Sequence, residues 1–322
     1  MKVKTEGKIR KMNILVYGAG VIGSIYAARL QEAGYHVSLL ARGERAVSLR
    51  TQGILLKDAS TGHRTTTQVS LVDHLAPTDS YDVVIVTVRL DQLTSILPIL
   101  AANHQIPTIL FMLNIPDGMQ RLELLEPHRV LLGFPSIGGS RQGEVIRYVH
   151  HPALVQTTLG KEDGRVTPRL QQLATAFKKA GFSVALNSNM QSWLKTHAVI
   201  DACMWAAVVM TQGGSAKLGR TRKHVVMMVR AVREGLRALQ AQGIPMTPLS
   251  MKVLFLWMPR WLAVLCLQYA LQSSATLALD PNVQGGLDEA SQIARDIMAQ
   301  LQKSSLPTPT LSHLITFLEI PA

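Results

Sequence analysis

The chain has 322 residues, of which 47% are hydrophobic and 17% are charged. This composition can fill two apolar cores and excludes a largely disordered chain. The net charge of +12 would suit a nucleic acid, but aromatic residues make up only 5% and no zinc-finger or helix-turn-helix pattern occurs, so no nucleic-acid partner is expected. Two distant cysteines, Cys203 and Cys266, and the absence of any ligand-spaced Cys or His motif indicate a reducing, cytoplasmic location and no metal.

The chain begins with a short basic segment, residues 1–11, in which lysines and arginines are crowded together. It lacks the apolar stretch of a secretory signal, so it does not indicate export. We interpret it as an extension that precedes a fold starting at residue 12.

An apolar run at the start of this fold ends in the glycine pattern GAGVIG and predicts a strand, a tight turn and a helix. Gly18 permits the turn, Gly20 lets the backbone approach a phosphate, and Gly23 lets the helix pack closely on the strand. Val21 and Ile22 open the helix, whose N-terminal N–H groups face an anion. The pattern therefore predicts a dinucleotide site, the alternative being a glycine turn in another α/β protein.

The residues after the second strand, His36–Leu40, indicate which dinucleotide binds. An acidic residue at this point suits the ribose hydroxyl of NAD, whereas a basic residue suits the 2′-phosphate of NADP. The first charged residue here is Arg42, which can donate paired hydrogen bonds to a phosphate. NADP is therefore favoured. Alternatively, Arg42 and Arg45 are solvated loop residues, since Glu44 between them could neutralise either.

The first half of the chain alternates short aliphatic runs with helix-length stretches, which predicts an α/β fold with a doubly wound, Rossmann-type sheet over residues 12–187. Two segments, 54–69 and 144–160, carry β-branched residues around turns and predict hairpins or edge strands. The predicted strands are Asn13–Tyr17, His36–Leu40, Asp82–Val88, Pro107–Leu113, Val130–Phe134 and Phe182–Leu186, and the predicted helices are Arg89–Ala102, Met119–Leu125 and Thr167–Ala180.

Residues 188–322 show almost only helical periods and predict an all-helical second domain. The predicted helices include Met190–Met210, Arg220–Gln242 and Leu287–Gln302. The apolar segment Leu254–Leu279 is interrupted by a Pro-Arg pair, so it predicts buried helices or the interface of a homodimer rather than a membrane span. Trp257 and Trp261 leave a peripheral membrane contact as the less favoured interpretation.

Ligands of open α/β sheets bind beyond the carboxyl ends of the strands. Arg89 and Asn114 follow two predicted strands, although Asn114 is also a common type of turn residue. Lys195 opens an apolar helix where a cleft between two domains would lie. A partly desolvated ammonium gives up its proton more readily, as a general acid must, although lysines on helix surfaces are usually solvated.

The order of these motifs resembles the ketopantoate reductase family over nearly the whole chain from residue 12. The resemblance rests on GAGVIG, VSLLARGE, an asparagine after a central strand, W-x-K opening a helical domain, and a late Ser-Ser…Asp…Glu segment. It implies that Lys195 is the general acid toward the keto oxygen and that Asn114 places nicotinamide and the lysine. It further implies that Arg42 accompanies NADP, and that Ser274 and Glu289, for which Asp288 is an alternative, bind substrate.

Two departures from the family pattern concern the substrate pocket. The family has asparagines four and eight residues after the lysine, where this chain has Val199 and Cys203, and Arg89 stands where many members have lysine. The resemblance implies NADP-dependent reduction of a 2-keto acid to a 2-hydroxy acid, with 2-dehydropantoate or a related substrate. The changed pocket residues motivate one alternative, a non-catalytic NADP-binding sensor or scaffold.

Overall fold

The computed structural model describes residues 11–150, 155–272 and 286–319. Its main sheet has eight strands, and the predicted doubly wound α/β architecture is confirmed. In spatial order the strands are β12 (Val184–Leu186), β11 (Thr157–Gly160), β8 (Val130–Phe134), β7 (Ile109–Met112), β6 (Val83–Val86), β1 (Asn13–Tyr17), β2 (His36–Leu40) and β5 (Ser70–Val72).

The six strands from β8 to β5 are parallel, whereas β11 pairs antiparallel with β8. The central strands β6 and β7 are buried along their whole length. Their uninterrupted aliphatic sequences follow from this burial, because both faces of the sheet are covered. The carboxyl ends of β1, β6 and β7 therefore meet at one edge of the sheet.

A second, four-stranded sheet contains the segments that predicted hairpins. Its order is β4 (Arg64–Thr67), β3 (Ile54–Asp58), β10 (Val145–Val149) and β9 (Gly138–Gln142). The two hairpins are joined by a parallel pairing of β3 with β10. This sheet packs against the first helix after the glycine loop.

Four helices accompany the sheets: α1 (Val21–Glu32), α2 (Gly43–Gln52), α3 (Leu90–Ala102) and α4 (Pro168–Lys179). Helix α4 begins where predicted, because the Thr167 hydroxyl accepts a hydrogen bond from the Leu170 N–H at 3.3 Å. The helix predicted at Met119–Leu125 is wrong: a short 3₁₀ turn, Gly118–Leu122, stands there. Gly118, the first residue of this turn, adopts a φ of +59°, a conformation that favours glycine.

After β12, all regular structure in the described residues is helical. The helices are α5 (Met190–Thr211), α6 (Gly214–Arg220), α7 (Arg222–Ala241), α8 (Leu249–Lys252), α9 (Arg260–Leu271), α10 (Gly286–Leu301) and α11 (Pro309–Ile315), with a π-helical turn at Val253–Trp257. One buried apolar cluster runs from one face of the main sheet, for example Phe111, into α5, α7, α10 and α11. A second cluster packs α1 and α4 on the other face.

The apolar segment that begins at Leu254 is divided between core and surface. Phe255, Ala263 and Val264 are buried, whereas Trp257 and Trp261 are exposed. In the ranges that the structure describes, no helix is both long enough and apolar enough to cross a membrane. The residues of this segment beyond 272 lie outside the described residues, and the homodimer interface stays a prediction.

Candidate active site

The glycine loop between β1 and α1 has a geometry that only glycine can supply at two positions. Gly18 has a φ of +119°, in a region that side-chain-bearing residues rarely adopt. A Cβ on Gly23 would lie 1.9 Å from the Gly18 carbonyl oxygen and 2.4 Å from the Thr87 hydroxyl. That hydroxyl donates a hydrogen bond to the same carbonyl at 3.0 Å, which joins the loop to the end of β6. Helix α1 therefore starts in direct contact with the strand ends.

The third glycine of the loop faces open space. A Cβ on Gly20 would meet no atom within 4 Å. Gly20 is the N-cap of α1, and no side chain caps this helix end, so N–H groups of the first turn, which begins with Val21 and Ile22, remain available to an anion. The open backbone and the uncapped helix fit a pyrophosphate group.

Arg42 is exposed directly after β2, on the sheet edge that carries the glycine loop. Its Nε donates a hydrogen bond to the Asp73 carbonyl oxygen at 2.8 Å. Burial raises the pKa of the Tyr17 phenol, and the nearby Arg42 guanidinium opposes this rise. Arg45, three positions later, is neutralised by Glu144 at 2.8 Å, not by Glu44. Arg42 is therefore an exposed guanidinium at the strand end where the sequence predicts a 2′-phosphate site.

Asn114 lies just beyond β7 and is only 4% exposed. Its Nδ2 donates to Asp201 Oδ2 at 3.2 Å. Its Oδ1 is buried and has no hydrogen-bond partner among the residues that the structure describes. A buried acceptor without a partner is costly, and an amide N–H of a bound molecule would satisfy it. The carboxamide of a nicotinamide is such a donor, so Asn114 fits the cofactor that the glycine loop indicates.

The carboxylate of Asp201 links Asn114 to an imidazole. Its Oδ1 lies 3.3 Å from His197 Nε2, one helical turn earlier on α5, and the two side chains are 25% and 24% exposed. The His197 ring stacks on Trp193 with a centroid distance of 4.7 Å and meets the edge of Phe134, at the end of β8, at 4.1 Å. Burial raises the pKa of Asp201, while His197 and the Asn114 amide oppose the rise.

Glu289, near the start of α10, adds a second carboxyl group to this cluster. Burial raises the pKa of Glu289 to about 7, and the charge of Asp201 adds to this rise. A hydrogen bond from the Leu90 N–H and the charge of Arg89 oppose the rise. Asp288 is exposed, so Glu289 is the residue that faces Asp201. Arg89 forms two hydrogen bonds to Asp91, at 3.0 and 2.7 Å, and lies at the mouth of the site.

The raised pKa of Glu289 predicts a pH-dependent effect on stability. The usual pKa of a glutamate is 4.5, whereas the pKa of Glu289 in the folded chain is about 7. The folded chain therefore holds the proton of Glu289 more tightly than the unfolded chain does. The folded state loses this stabilisation as the pH rises from 4.5 to about 7. Glu289→Gln cannot ionise. We expect its melting temperature to exceed that of the wild type at about pH 8 and the difference to shrink toward about pH 5, measured by differential scanning fluorimetry.

The exposed neighbour offers a matched control for this measurement. Asp288→Asn removes a carboxylate from the same helical turn but not from the buried cluster, so its melting temperature should follow the wild type at both pH values. An equal gain for both variants would contradict the burial of Glu289.

The charges that act on Lys195 come from residues outside this cluster. Burial and the charge of Lys303 lower the pKa of Lys195, while Asp117 opposes the effect; Asp117 follows β7 and Lys303 follows α10. Lys195 precedes His197 by two positions on α5, a rotation of about 200° at roughly 100° per residue. The side chain of Lys195 therefore leaves α5 on a different face from that of His197.

The other predicted substrate contacts lie outside the cluster as well. Val199 and Cys203 are 0% exposed, on the face of α5 that packs into the helical core, where Val199 contacts Gly235. Burial and the nearby Glu234 raise the pKa of the Cys203 thiol. Neither side chain opens to the cleft, so the structure does not place them against a substrate there. Ser274 lies outside the described residues.

Sequence reasoning missed His197 and Asp201, the two residues that contact or adjoin Asn114. A signal for them was present: Trp193, His197 and Asp201 recur every four residues, which places a polar pair on one face of a largely apolar helix. In the described ranges, no group of three or more His, Cys, Asp or Glu side chains is placed to hold a metal ion.

The main sheet, with its six parallel strands, and the glycine loop at the strand ends form a Rossmann-type architecture, joined to a helical half. Residues 14–164 match the family model described as "Ketopantoate reductase PanE/ApbA". The resemblance seen in the sequence motifs is thus confirmed over residues 14–164.

A curated relative is similar in sequence, and solved structures share the fold. A curated 2-dehydropantoate 2-reductase from a Nostoc species is 30% identical over 186 residues, which are 55% of this chain and 56% of that protein. The fold is similar to a crystal structure of 2-dehydropantoate 2-reductase from Geobacter metallireducens, with a TM-score of 0.77 and 17% identity over 95% of this chain and 98% of that one. It is also similar to D-mandelate dehydrogenase with NADH and anilino(oxo)acetate, with a TM-score of 0.75 and 16% identity over 96% of this chain and 97% of that one.

Proposed function

We propose that the chain is an NADP-dependent oxidoreductase that reduces a 2-keto acid to a 2-hydroxy acid. The observation that carries this proposal is Asn114, whose Nδ2 is fixed by Asp201 while its buried Oδ1 lacks a partner among the described residues. It stands at the same strand edge as the glycine loop, so one bound dinucleotide can reach both. The match of residues 14–164 to the family model described as "Ketopantoate reductase PanE/ApbA" supports the same reaction.

Each group of the cleft has a role in this proposal. Gly18, Gly20 and Gly23 shape the loop, and the N–H groups of α1 hold the pyrophosphate. Arg42 contacts the 2′-phosphate, and Asn114 accepts from the nicotinamide carboxamide. Bound NADPH would supply the hydride.

The substrate would lie between the end of β7 and helices α5 and α10. Glu289 and Arg89 line this cleft, and the charge of Arg89 lowers the pKa of Glu289. A guanidinium at this position suits the recognition of a small carboxylic acid. The family resemblance assigns proton donation to Lys195, whereas the side chains that adjoin Asn114 are Asp201 and His197. Reduction of 2-dehydropantoate would connect the protein to pantothenate biosynthesis.

A panel of 2-keto acids tests the reaction. The full chain is mixed with NADPH and with 2-dehydropantoate, pyruvate, branched-chain keto acids or phenylglyoxylate, and oxidation of the cofactor is followed by absorbance. We expect saturable turnover with at least one acid, and faster turnover with NADPH than with NADH. Tight NADPH binding with no turnover across the panel would contradict the proposal and favour a non-catalytic NADP sensor.

A further inference from the structure

We propose that one face of the helical half binds to an anionic lipid bilayer. This face, named the Trp–Arg face, combines exposed apolar side chains of the π-helical turn and α9 with arginines that line a cavity between α7 and the start of α9. Its main apolar members are Trp257, Trp261, Leu265 and Tyr269. The inference does not depend on the proposed reduction.

The apolar part of the face is concentrated in one short stretch of chain. Six of the twelve exposed large apolar side chains in the described ranges lie within residues 249–269. Trp257, Trp261 and Tyr269 are 62%, 60% and 83% exposed. Trp261, Leu265 and Tyr269 recur every four residues, so they form one stripe along α9. An exposed apolar surface of this kind marks a binding site, and Trp and Tyr are enriched where a bilayer meets water.

The cationic part of the face is a cavity of about 640 Å³ with an excess of positive charge. In the described residues its charged lining consists of Glu234 and four arginines: Arg230, Arg233, Arg237 and Arg260. One oxygen of Glu234 accepts hydrogen bonds from the N–H groups of Thr310 and Leu311 at 2.7 and 3.1 Å, and the other lies 3.4 Å from Arg230 Nε. No carboxylate of this lining is left for the other three arginines, so the cavity suits the phosphate of an anionic headgroup.

The apolar and cationic parts adjoin each other where the π-helical turn meets α9. Arg260 lies between Trp257 and Trp261 in the sequence. Arg233 Nη2 donates a hydrogen bond to the Met258 carbonyl oxygen at 2.5 Å, so α7 contacts the segment that carries the tryptophans. Burial and the charges of two neighbouring arginines, one of them Arg260, lower the pKa of Arg233. Cations and aromatic rings therefore form one continuous surface.

Aromatic rings beside cations match the chemistry of a bilayer surface. Trp and Tyr rings lie at the level of the lipid headgroups, and basic side chains reach the phosphates. Lys252 adds a further cation, since its Nζ lies 5.1 Å from the centroid of the Trp257 ring. The net charge of +12 attracts the chain as a whole to anionic lipids.

Other partners match only one part of the face. In a two-fold interface between copies of the chain, the same patch of each copy takes part. The arginines of both copies would then enter one interface, in which Glu234 is the acidic residue of the described lining. A nucleic acid would pair with the arginines but leave aliphatic side chains such as Leu265 without a partner. An anionic bilayer satisfies both parts and is the partner that we infer.

Co-sedimentation of the full chain with vesicles tests the inference. Vesicles of phosphatidylcholine alone are compared with vesicles that contain about one third phosphatidylglycerol, at about 0.1 M salt. We expect binding to the anionic vesicles and almost none to the neutral ones. Binding should fall at least about tenfold between about 0.1 M and about 0.5 M salt. Tryptophan emission should shift to shorter wavelength on binding, because Trp257 and Trp261 leave water.

A double variant tests the apolar part of the face. Trp257→Ser/Trp261→Ser should weaken binding to the anionic vesicles at least about tenfold. Its control, Leu124→Ser/Leu306→Ser, removes two exposed apolar side chains from other surfaces and should bind like the wild type. All four positions are exposed, so the melting temperatures should stay close to that of the wild type. An equal loss of binding in both variants would overturn the inference.

A second double variant tests the cationic part. Arg237→Gln/Arg260→Gln should weaken vesicle binding about tenfold or more and reduce its dependence on salt. Arg64→Gln/Arg165→Gln lowers the net charge equally at two exposed positions outside the face and should lose much less binding. If both variants lose the same amount, net charge alone directs binding, and the assignment to this face is overturned.

Three further results would also overturn the inference. The first is a wild type that does not bind anionic vesicles. The second is a wild-type dimer that Trp257→Ser/Trp261→Ser converts to monomers, without vesicle binding, because the face would then join two copies. The third is calorimetric binding of glycerol 1-phosphate without vesicle binding, which would assign the cavity to a soluble phosphate ester.

Turnover separates this inference from the proposed function. NADPH oxidation with a keto acid is measured without vesicles and should be the same in the wild type and in all four double variants. A wild type that turns over but does not bind vesicles would overturn the inference and leave the proposed function standing. A wild type that binds vesicles but reduces no keto acid would do the reverse.

Discussion

Replacing Gly23 by alanine is expected to destabilise the chain by about 3 kcal/mol and to weaken NADPH binding by about 100-fold or more. The added Cβ would lie 1.9 Å from the Gly18 carbonyl oxygen and 2.4 Å from the Thr87 hydroxyl. A backbone atom cannot yield as a flexible side chain does, so α1 must move away from the end of β1. Denaturant unfolding and calorimetric titration with NADPH measure the two effects.

Gly20→Ala is the matched control for this change. Gly20 has an ordinary φ of −71°, and its added Cβ would meet no atom within 4 Å. The free energy of unfolding should therefore stay within about 1 kcal/mol of the wild type. The methyl group would occupy the space assigned to the pyrophosphate, so NADPH binding should weaken all the same. If both variants unfold like the wild type, the contact between α1 and the loop is not as tight as described.

Replacing Arg42 by glutamine is expected to weaken NADPH binding about ten- to a hundredfold, the value of a charge-assisted hydrogen bond to a phosphate. The Kd for NADH should stay nearly unchanged, because NADH lacks the 2′-phosphate. We expect this effect from Arg42 because its guanidinium is exposed at the end of β2. Arg45, three positions later, is already paired with Glu144. Parallel titrations with the two cofactors give the ratio of affinities.

Arg64→Gln serves as the control for a general change in charge. Arg64 is exposed on β4, in the small sheet, and its removal lowers the net charge equally. NADPH affinity should then remain at the wild-type value. An Arg42 variant that keeps the preference for NADPH would contradict the assignment of the 2′-phosphate to this guanidinium.

The Rossmann-type architecture could be predicted from the sequence because its signals are local. Aliphatic runs, turn residues and the glycine spacing act within about 30 residues of one another. The second sheet could not be predicted as a sheet, since β3 pairs with β10 through a contact between distant parts of the chain. For the same reason, the partner of Arg45 could not be predicted: it is Glu144, on the loop between β9 and β10, which is far from Arg45 in the sequence.

The position of Asn114 in the candidate site could be predicted, whereas the pair His197 and Asp201 could not. Asn114 could be found because it follows a buried strand, a position that the sheet itself defines. The motif W-x-K directed attention to Lys195, yet a motif does not specify the rotation of its helix against the sheet. Packing of Trp193 and His197 on Phe134 sets that rotation. This rotation of α5 turns Asp201 toward Asn114 and places Val199 and Cys203 in the core.

Calorimetric titration of the wild-type chain with NADPH and with NADH tests the central claim most directly. The account predicts one nicotinamide dinucleotide bound per chain, with NADPH bound more tightly than NADH. Absence of binding by both cofactors at millimolar concentration would contradict the dinucleotide site and, with it, the proposed reduction.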